Sequence, residues 1–366
     1  MIEGVAMITE SEQVEKGFMK AIVRDRYGSP DVLQLKEVAK PAPNDVRGVL
    51  VKIYASSVNP ADRYDVRGPP FLIRLVLPLF RMGMGLRRPK EAGVGSDIAG
   101  RVEAVSNNVT QFKPGDEVYG VCNAGYAEYG TARENRIALK PANRSFEESA
   151  AVPIAGFTAL QALRDKGNIK PGQKVLVNGA GGGVGTFAVQ IAKSFGTEVT
   201  AVTNTKNLDM VRSLGADHVI DYTKEDFTKN GERYDLICDI ASNHSISDYK
   251  RIMNPDATCV IVGWRDKIIM RLLYFAIRGR LSRGDKKFAF FIARPNQEDL
   301  VSLKELMEAG KIAPVIDRRY RLSETAQAIR YLEDGQTRGK VIITVDHNDH
   351  NPAPSGSYIS SRSELR

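Results

Sequence analysis

Cysteine is scarce in this 366-residue chain, with three residues at positions 122, 238 and 259. They are too few and too scattered for a disulfide scaffold or a four-thiolate zinc site, so the chain reads as a thiol-reduced, intracellular protein. Histidine is nearly as scarce, with four residues at 218, 244, 347 and 350, and no pair has the HExxH spacing of a zinc-hydrolase helix. Long hydrophobic runs are missing too. The most apolar stretches, Phe71–Leu79 and Ile268–Ile277, fall short of the ~20 residues of a membrane span, and Arg74 and Arg271 interrupt them. The N-terminus carries Glu3 and no apolar core, unlike a signal peptide, so residues 1–18 read as an extension and a cytoplasmic protein is expected. The polar, Pro- and Ser-containing residues 347–366 read as a disordered tail. A content of 42% hydrophobic and 26% charged residues excludes a disordered or collagen-like chain. The length suits two ordinary domains.

What the chain does have is basic charge, net +8, placed unevenly. Residues 63–90 hold seven Lys/Arg against Asp65, and residues 265–287 hold eight against Asp266 and Asp285, a net +6 in each. These segments are either solvated faces or the frame of a site for an anionic ligand or an anionic membrane surface. No nucleic-acid-binding motif accompanies the charge, so no DNA partner is expected.

Two textures follow one another. From Met19 to about Ala142 the chain reads as short strands broken by turns: Lys20–Val23, Leu33–Val38, Val49–Ser56, Asp97–Val105, Glu117–Val121, Ala127–Ala132 and Ile137–Leu139. From Ser145, where Ser145-x-x-Glu148 forms a capping box, helices alternate with apolar strands. Those strands are Lys174–Asn178, Glu198–Thr203, His218–Asp221, Leu236–Ile240, Cys259–Val262 and Phe288–Ala293. That alternation predicts an α/β, doubly wound parallel sheet. Residues 298–345 read as two helices, the second from Ser323, and a final strand Lys340–Val345 that folds back onto the first part.

The strongest chemistry lies after strand Lys174–Asn178. Gly179, Ala180, Gly181, Gly182, Gly183, Val184 and Gly185 form a glycine-rich turn, and a helix is expected from Thr186 to Phe195. Small residues permit the tight turn and let backbone N–H groups approach a pyrophosphate, while the helix N-terminus supplies unpaired donors and a partial positive charge. Ala180 stands where the first glycine of G-x-G-x-x-G usually lies. The next strand runs into Asn204-Thr205-Lys206, with no acid before Asp209. NAD-preferring folds place Asp or Glu here for the ribose hydroxyls, so Asn204 and Lys206 predict NADP (NADPH) instead.

These motifs carry a family likeness. Asn59–Gly68, Gly95–Val102, Phe112–Gly120, Gly125–Tyr129, Gly179–Gly185, Gly215–Tyr222 and Arg338–Ile343 together resemble a zinc-independent, quinone-oxidoreductase-like member of the medium-chain dehydrogenase/reductase superfamily. The likeness covers about Met19 to Val345. It implies a GroES-like β-rich substrate domain at 19–143 and 295–346, a Rossmann domain at 144–294, and a cleft between them. It also implies that Tyr222 helps bind the 2′-phosphate, that Thr158 contacts the nicotinamide ribose or amide, and that the nicotinamide passes Val262 and Gly263. It implies a homodimer paired through the edge strand Lys287–Ala293.

Zinc alcohol dehydrogenases place a cysteine ligand and a His-Glu pair where this chain has Asn59 and Ser96-Asp97, and its structural-zinc lobe is missing, so no metal is expected. Without a Lewis acid, quinones and α,β-unsaturated carbonyls are the fitting substrates, because charge spreads onto their oxygen as hydride adds to carbon. Tyr64 is the candidate donor to that oxygen, or otherwise a packing tyrosine. Asn59 either orients substrate or nicotinamide, or caps a turn. Asp62 is expected to pair with Arg63 or Arg67 rather than to act as a base. Thr158 has the alternative of bonding back to its own helical turn. His218 and His244 read as surface or capping residues, and Cys238 and Cys259 as core thiols. The expectation is an NADPH-dependent reductase of a small, lipophilic, electrophilic substrate. Alternatives are an enoyl-thioester reductase, or a low-turnover NADPH-binding redox-sensing or RNA-binding protein. The two basic-apolar segments, Phe71–Phe80 and Ile268–Arg278, are expected to rim the cleft, either as a lid or as a weak contact with an anionic membrane surface.

Overall fold

The computed structural model describes residues 17–43, 48–68, 89, 92–262 and 286–347. The expectations attached to Gly263, to Phe71–Phe80 and Ile268–Arg278, to residues 1–16 and to residues 348–366 lie outside the described residues.

The first part of the chain forms β1 (Phe18–Val23), β2 (Gln34–Ala39), β3 (Gly48–Val58), β4 (Asp97–Val105), β5 (Glu117–Val121), β6 (Tyr129–Arg133) and β7 (Ile137–Leu139). The middle forms β8 (Lys174–Asn178), β9 (Glu198–Thr203), β10 (His218–Asp221), β11 (Tyr234–Asp239), β12 (Met253–Ile261) and β13 (Lys287–Phe290). β14 (Ile316–Arg321) and β15 (Lys340–Thr344) follow. β1 and β2 pair antiparallel by themselves. A seven-stranded sheet has the order β14-β15-β3-β4-β5-β7, with β6 also on β3. β3 is its spine. It pairs with β4, β6 and β15, and its near-continuous apolar sequence is buried along most of its 11 residues. The closing strand β15 thus returns to the first sheet, as its apolar run predicts.

β14 does not follow from the sequence pattern. Its residues IDRRYR show no alternation, and it persists as an edge strand through its parallel ladder with β15. Backbone pairing needs no apolar face at a sheet edge.

The six middle strands form one all-parallel sheet in the order β10-β9-β8-β11-β12-β13. Strand order reverses at β8, whose neighbours are β9 and β11. The crevice beyond the carboxyl ends of β8 and β11 is therefore the topological switch point where ligands bind in such sheets.

The described helices are α1 (Asp62–Arg67), α2 (Phe146–Ala150), α3 (Pro153–Gln161), α4 (Gly183–Ser194), α5 (Leu208–Ser213), α6 (Ile246–Ile252), α7 (Gln297–Glu308) and α8 (Thr325–Glu333). The predicted capping box opens α2, with Ser145 Oγ accepting from Glu148 N and the Glu148 carboxylate from Ser145 N. One apolar cluster crosses between the two sheets: Ala55, Ala99 and Ile342 of the first share it with Val175, Val177 and Val260 of the second, through Phe157 of α3 and Phe187 of α4. Tyr119 of β5 adds a hydrogen bond to Leu300 O of α7 at 2.5 Å. The cleft walls are thus tied by a common core. Among the described residues, no helix is long and apolar enough to cross a membrane.

Candidate functional site

The glycine-rich turn lies at the carboxyl end of β8. Gly179 takes φ +92°, a left-handed conformation that only glycine adopts cheaply, and its N–H and that of Ala180 donate to Val202 O of β9. α4 starts at Gly183, three residues before the expected Thr186, because the glycines themselves complete its first turn. Its N-cap is Gly182, so no side chain caps the first N–H groups. A Cβ on Gly185 would lie 2.2 Å from Gly179 O, and one on Gly181 would lie 2.4 Å from Asn207 Nδ2. The packing of α4 on β8 and of the turn on its neighbour therefore demands glycine at both positions. At Gly182 a Cβ would meet only Gly179 O, at 3.8 Å. An open, uncapped helix start of this kind suits a pyrophosphate. Val184 is partly buried behind it, and Ala180 is fully buried.

The residues expected at the adenosine end come together at the carboxyl end of β9. Lys206 lies exposed in the turn Thr205–Asn207. Tyr222 donates its N–H to Thr203 O at 3.0 Å and is 52% exposed. Asn204 Oδ1 is buried with no hydrogen-bond partner, an acceptor left open beside the turn. Asp221 is bonded by Thr205 and Thr223 and lies 3.8 Å from Lys224, contacts that hold it below the usual carboxylate range. Sequence reasoning gave Arg338 no role. Its guanidinium donates to Asn207 Oδ1 at 3.0 Å and to Lys206 O, so it steadies this turn from across the cleft.

Between the glycine turn and α1 lies a buried polar cluster. Lys340 Nζ of β15 donates to Asn59 Oδ1 at 2.6 Å and Val58 O at 3.1 Å, and lies 3.5 Å from Asp97 Oδ2. Asp97 Oδ2 also accepts from Ser57 Oγ and Asn59 Nδ2, each at 2.8 Å, and its Oδ1 accepts from Ile154 N at the start of α3. Asn59 is 2% exposed with both ends of its amide engaged, so its side chain serves this cluster rather than facing a ligand. Burial lowers the Lys340 pKa from its ordinary value. The expected pairing of Asp62 with Arg63 or Arg67 is not found: Arg67 binds Glu333 at 2.5 Å, whereas Asp62 Oδ2 accepts from Tyr126 Oη at 2.5 Å and Asn59 N at 2.7 Å. Full burial pushes the Asp62 pKa up to about 7 against the lowering effect of those two donors.

The positions that the family likeness aligns with zinc ligands are thus an amide and a carboxylate, with an ammonium between them. A cation already fills the space among their oxygens, and neither position is a cysteine or a histidine, so the donor set does not fit zinc. Among the described residues no group of three or more His, Cys, Asp and Glu side chains that could hold a metal ion occurs. Lys340 and Tyr126 were not singled out from sequence, although each falls within a quoted motif, and Asp97 was noted only as standing in a zinc-ligand position.

Tyr64 lies on α1, half-buried, with its hydroxyl accepting from Arg63 Nη2 at 3.0 Å and the guanidinium 4.9 Å from its ring. Thr158 on α3 donates to Ile154 O at 2.6 Å, the back-bonding alternative, which leaves its oxygen able to accept. Val262 follows β12 and donates its N–H to Asp239 O at 2.9 Å. At the switch point Asn178 Nδ2 reaches Asp239 Oδ1, Asn243 Oδ1 and Tyr249 Oη at 2.9, 2.9 and 3.1 Å, pinning the loop after β11 to β8. His218 is exposed beside Glu198, and His244 packs edge-on against Phe227. Cys238 and Cys259 are fully buried, and burial pushes the Cys238 thiol up to about 12.

Comparison with known proteins places the chain in a family of this fold. Residues 45–162 match the alcohol dehydrogenase GroES-like domain, and residues 214–343 match the zinc-binding dehydrogenase family. The chain is 32% identical over 339 residues to the chloroplastic quinone-oxidoreductase QR1 of Triphysaria versicolor, covering 89% of this chain and 98% of that one. It is 33% identical over 344 residues to the 2-methylene-furan-3-one reductase of Solanum lycopersicum, covering 89% and 79%. The solved quinone oxidoreductase of Coxiella burnetii superposes with a TM-score of 0.75 at 29% identity, over 90% of this chain and all of that one.

Proposed function

We propose, for a chain that belongs to the quinone-oxidoreductase-like branch of the medium-chain dehydrogenase/reductase superfamily and is an oxidoreductase of a nicotinamide cofactor, that the cofactor is NADPH and that the reaction reduces quinones or α,β-unsaturated carbonyls without zinc. When bound, the cofactor supplies hydride. The glycine turn and the uncapped start of α4 hold its pyrophosphate, and Lys206, Tyr222 and Asn204 hold its adenosine end. Thr158 and the segment at Val262 line the path towards the nicotinamide.

The observation that carries this reading is the Asn59–Lys340–Asp97 cluster. Its ammonium is buried and sits among the oxygens of Asn59 and Asp97, so among the described residues this cluster leaves no donor set for a Lewis acid that would stabilise an alkoxide. A conjugated carbonyl or quinone tolerates that lack, because the charge left by hydride addition delocalises onto an oxygen that one hydrogen-bond donor can hold. The Tyr64 hydroxyl is that donor. The neighbouring Arg63 guanidinium donates to this hydroxyl at 3.0 Å, a cationic contact that favours release of its proton towards the substrate oxygen. The solanaceous relative's name, a reductase of an exocyclic enone, supports the same substrate class.

NADPH oxidation against a panel of quinones, enones, enals, a crotonyl thioester and a saturated ketone tests the reading. Turnover of quinones or enones, with NADPH preferred to NADH and unaffected by chelators, is expected. Turnover confined to the thioester, or a zinc-dependent reaction of the saturated ketone, overturns it.

A further inference from the structure

We propose that Lys340 is a positioning residue that sets the spacing between the cofactor turn and the loop bearing Tyr64. The proposal deepens the function assigned above and rests on it for its kinetic part. Lys340 leaves the fold at the glycine turn: the preceding Gly339 donates its N–H to Gly181 O at 3.0 Å and forms a parallel bridge with Gly182. Its stem runs along the start of α4, where a Cβ on Gly183 would come 2.9 Å from Lys340 Cδ. Its ammonium ends on the opposite side, 2.6 Å from Asn59 Oδ1. Asn59 N in turn donates to Asp62 Oδ2 at 2.7 Å, and Asp62 opens α1, two residues before Tyr64. The second branch runs through Asp97 to Ile154 N, which opens the helix that carries Thr158. One side chain therefore reaches from the cofactor turn to both elements that bear candidate catalytic-face residues.

The energetics favour this role over simple stabilisation. Taking an ammonium out of water is costly, and an apolar side chain of the same length would fill the space without that cost. What the ammonium alone supplies is a set of directed bonds of fixed reach to Val58 O, Asn59 and Asp97. An error of about 1 Å between reacting groups can lower a rate about a hundredfold.

The test compares Lys340→Met, Asn59→Ala and the double variant. Each is measured for NADPH affinity by titration without substrate, for kcat and KM with the quinone or enone turned over, and for amide hydrogen exchange across residues 59–67. Each single variant should lower kcat at least tenfold, keep the NADPH Kd within threefold of wild type, and speed exchange in α1. The double variant should be no worse than the worse single one, because both break one chain of contacts. Multiplying losses, unchanged exchange in α1, or a Kd that rises in step with the loss of kcat would overturn the proposal. If Lys340→Met does not fold, Asn59→Ala decides alone, since it leaves the ammonium paired with Asp97 and Val58 O. If wild type turns over nothing in the panel, the functional reading fails, and the exchange measurement still decides the role of Lys340.

Discussion

Asp62 is the residue whose protonation the fold controls most directly. Burial raises its pKa from 3.8 to about 7, so between those values the folded protein holds a proton that the unfolded chain has released. Stability contributed by this group is present at low pH and is lost as pH rises towards 7. Asp62→Asn keeps an oxygen for the Tyr126 hydroxyl and the Asn59 N–H but cannot ionise. Its Tm relative to wild type should therefore climb from pH 5 to about pH 7.5 and then level off. A constant difference across that range would show that Asp62 keeps an ordinary pKa. Tyr64→Phe is the complementary change, because it removes the proposed donor and leaves a ring that is only half-buried. It should lower kcat by about a hundredfold, in the range typical of a general acid, with NADPH affinity and Tm nearly unchanged. An equal fall in NADPH affinity would count against the donor role.

At this scale the sequence was legible where function rests on local pattern. Lys206 and the glycines follow a strand at a fixed spacing and could be named without coordinates. The meeting of Lys340 with Asn59 and Asp97 could not, because Lys340 and Asn59 are separated by 281 positions. Only the pairing of β15 with β3 brings them together. Nor does a short Asn-Pro-x-Asp segment reveal whether its asparagine faces a ligand or the interior.

Among the elements, β8 to β11 were readable because they are short β-branched, apolar runs between helical stretches, as buried parallel strands must be, whereas β12 begins at Met253, six residues before the apolar Cys259–Val262 that the sequence pattern marks. β14 and α1 were not: one is a charged edge strand, and the other is a single short turn whose sequence has little helical periodicity. The glycine turn shows what element geometry demands. Gly185→Ala would place a methyl carbon 2.2 Å from Gly179 O and push α4 away from β8. We expect a loss of about 1–3 kcal/mol in stability, as for other overpacked sites, and at least tenfold weaker binding of NADPH and NADH alike. Lys206→Ala should act differently, since it removes only a charge-assisted contact worth roughly 1.5–3 kcal/mol. NADPH affinity should fall at least tenfold and NADH affinity barely change. Isothermal titration with both nucleotides separates the two cases, and equal losses for Lys206→Ala would contradict the 2′-phosphate assignment.

At the scale of the molecule, the open sheet edges differ in chemistry. β14 carries Arg318, Arg319 and Arg321, whose charge opposes pairing with another strand. β10 is four residues long and has His218 and Asp221 at its ends. β7, three residues long, and β13, with the sequence KFAF, are mostly apolar; among the described residues only β12 pairs with β13, and Ile292 just beyond it is 58% exposed. An apolar edge of this kind is a template for another strand. A second copy meeting it across a twofold axis would pair each edge and bury each Ile292, the self-complementary arrangement of a C2 dimer. Light scattering at micromolar concentration should therefore give twice the chain mass of 40.3 kDa. Ile292→Glu should shift the protein towards monomer while NADPH binding survives, because the glycine turn lies at β8, three strands from β13. A wild-type monomer, or a dimer indifferent to Ile292→Glu, would mean that something other than a second copy covers this edge.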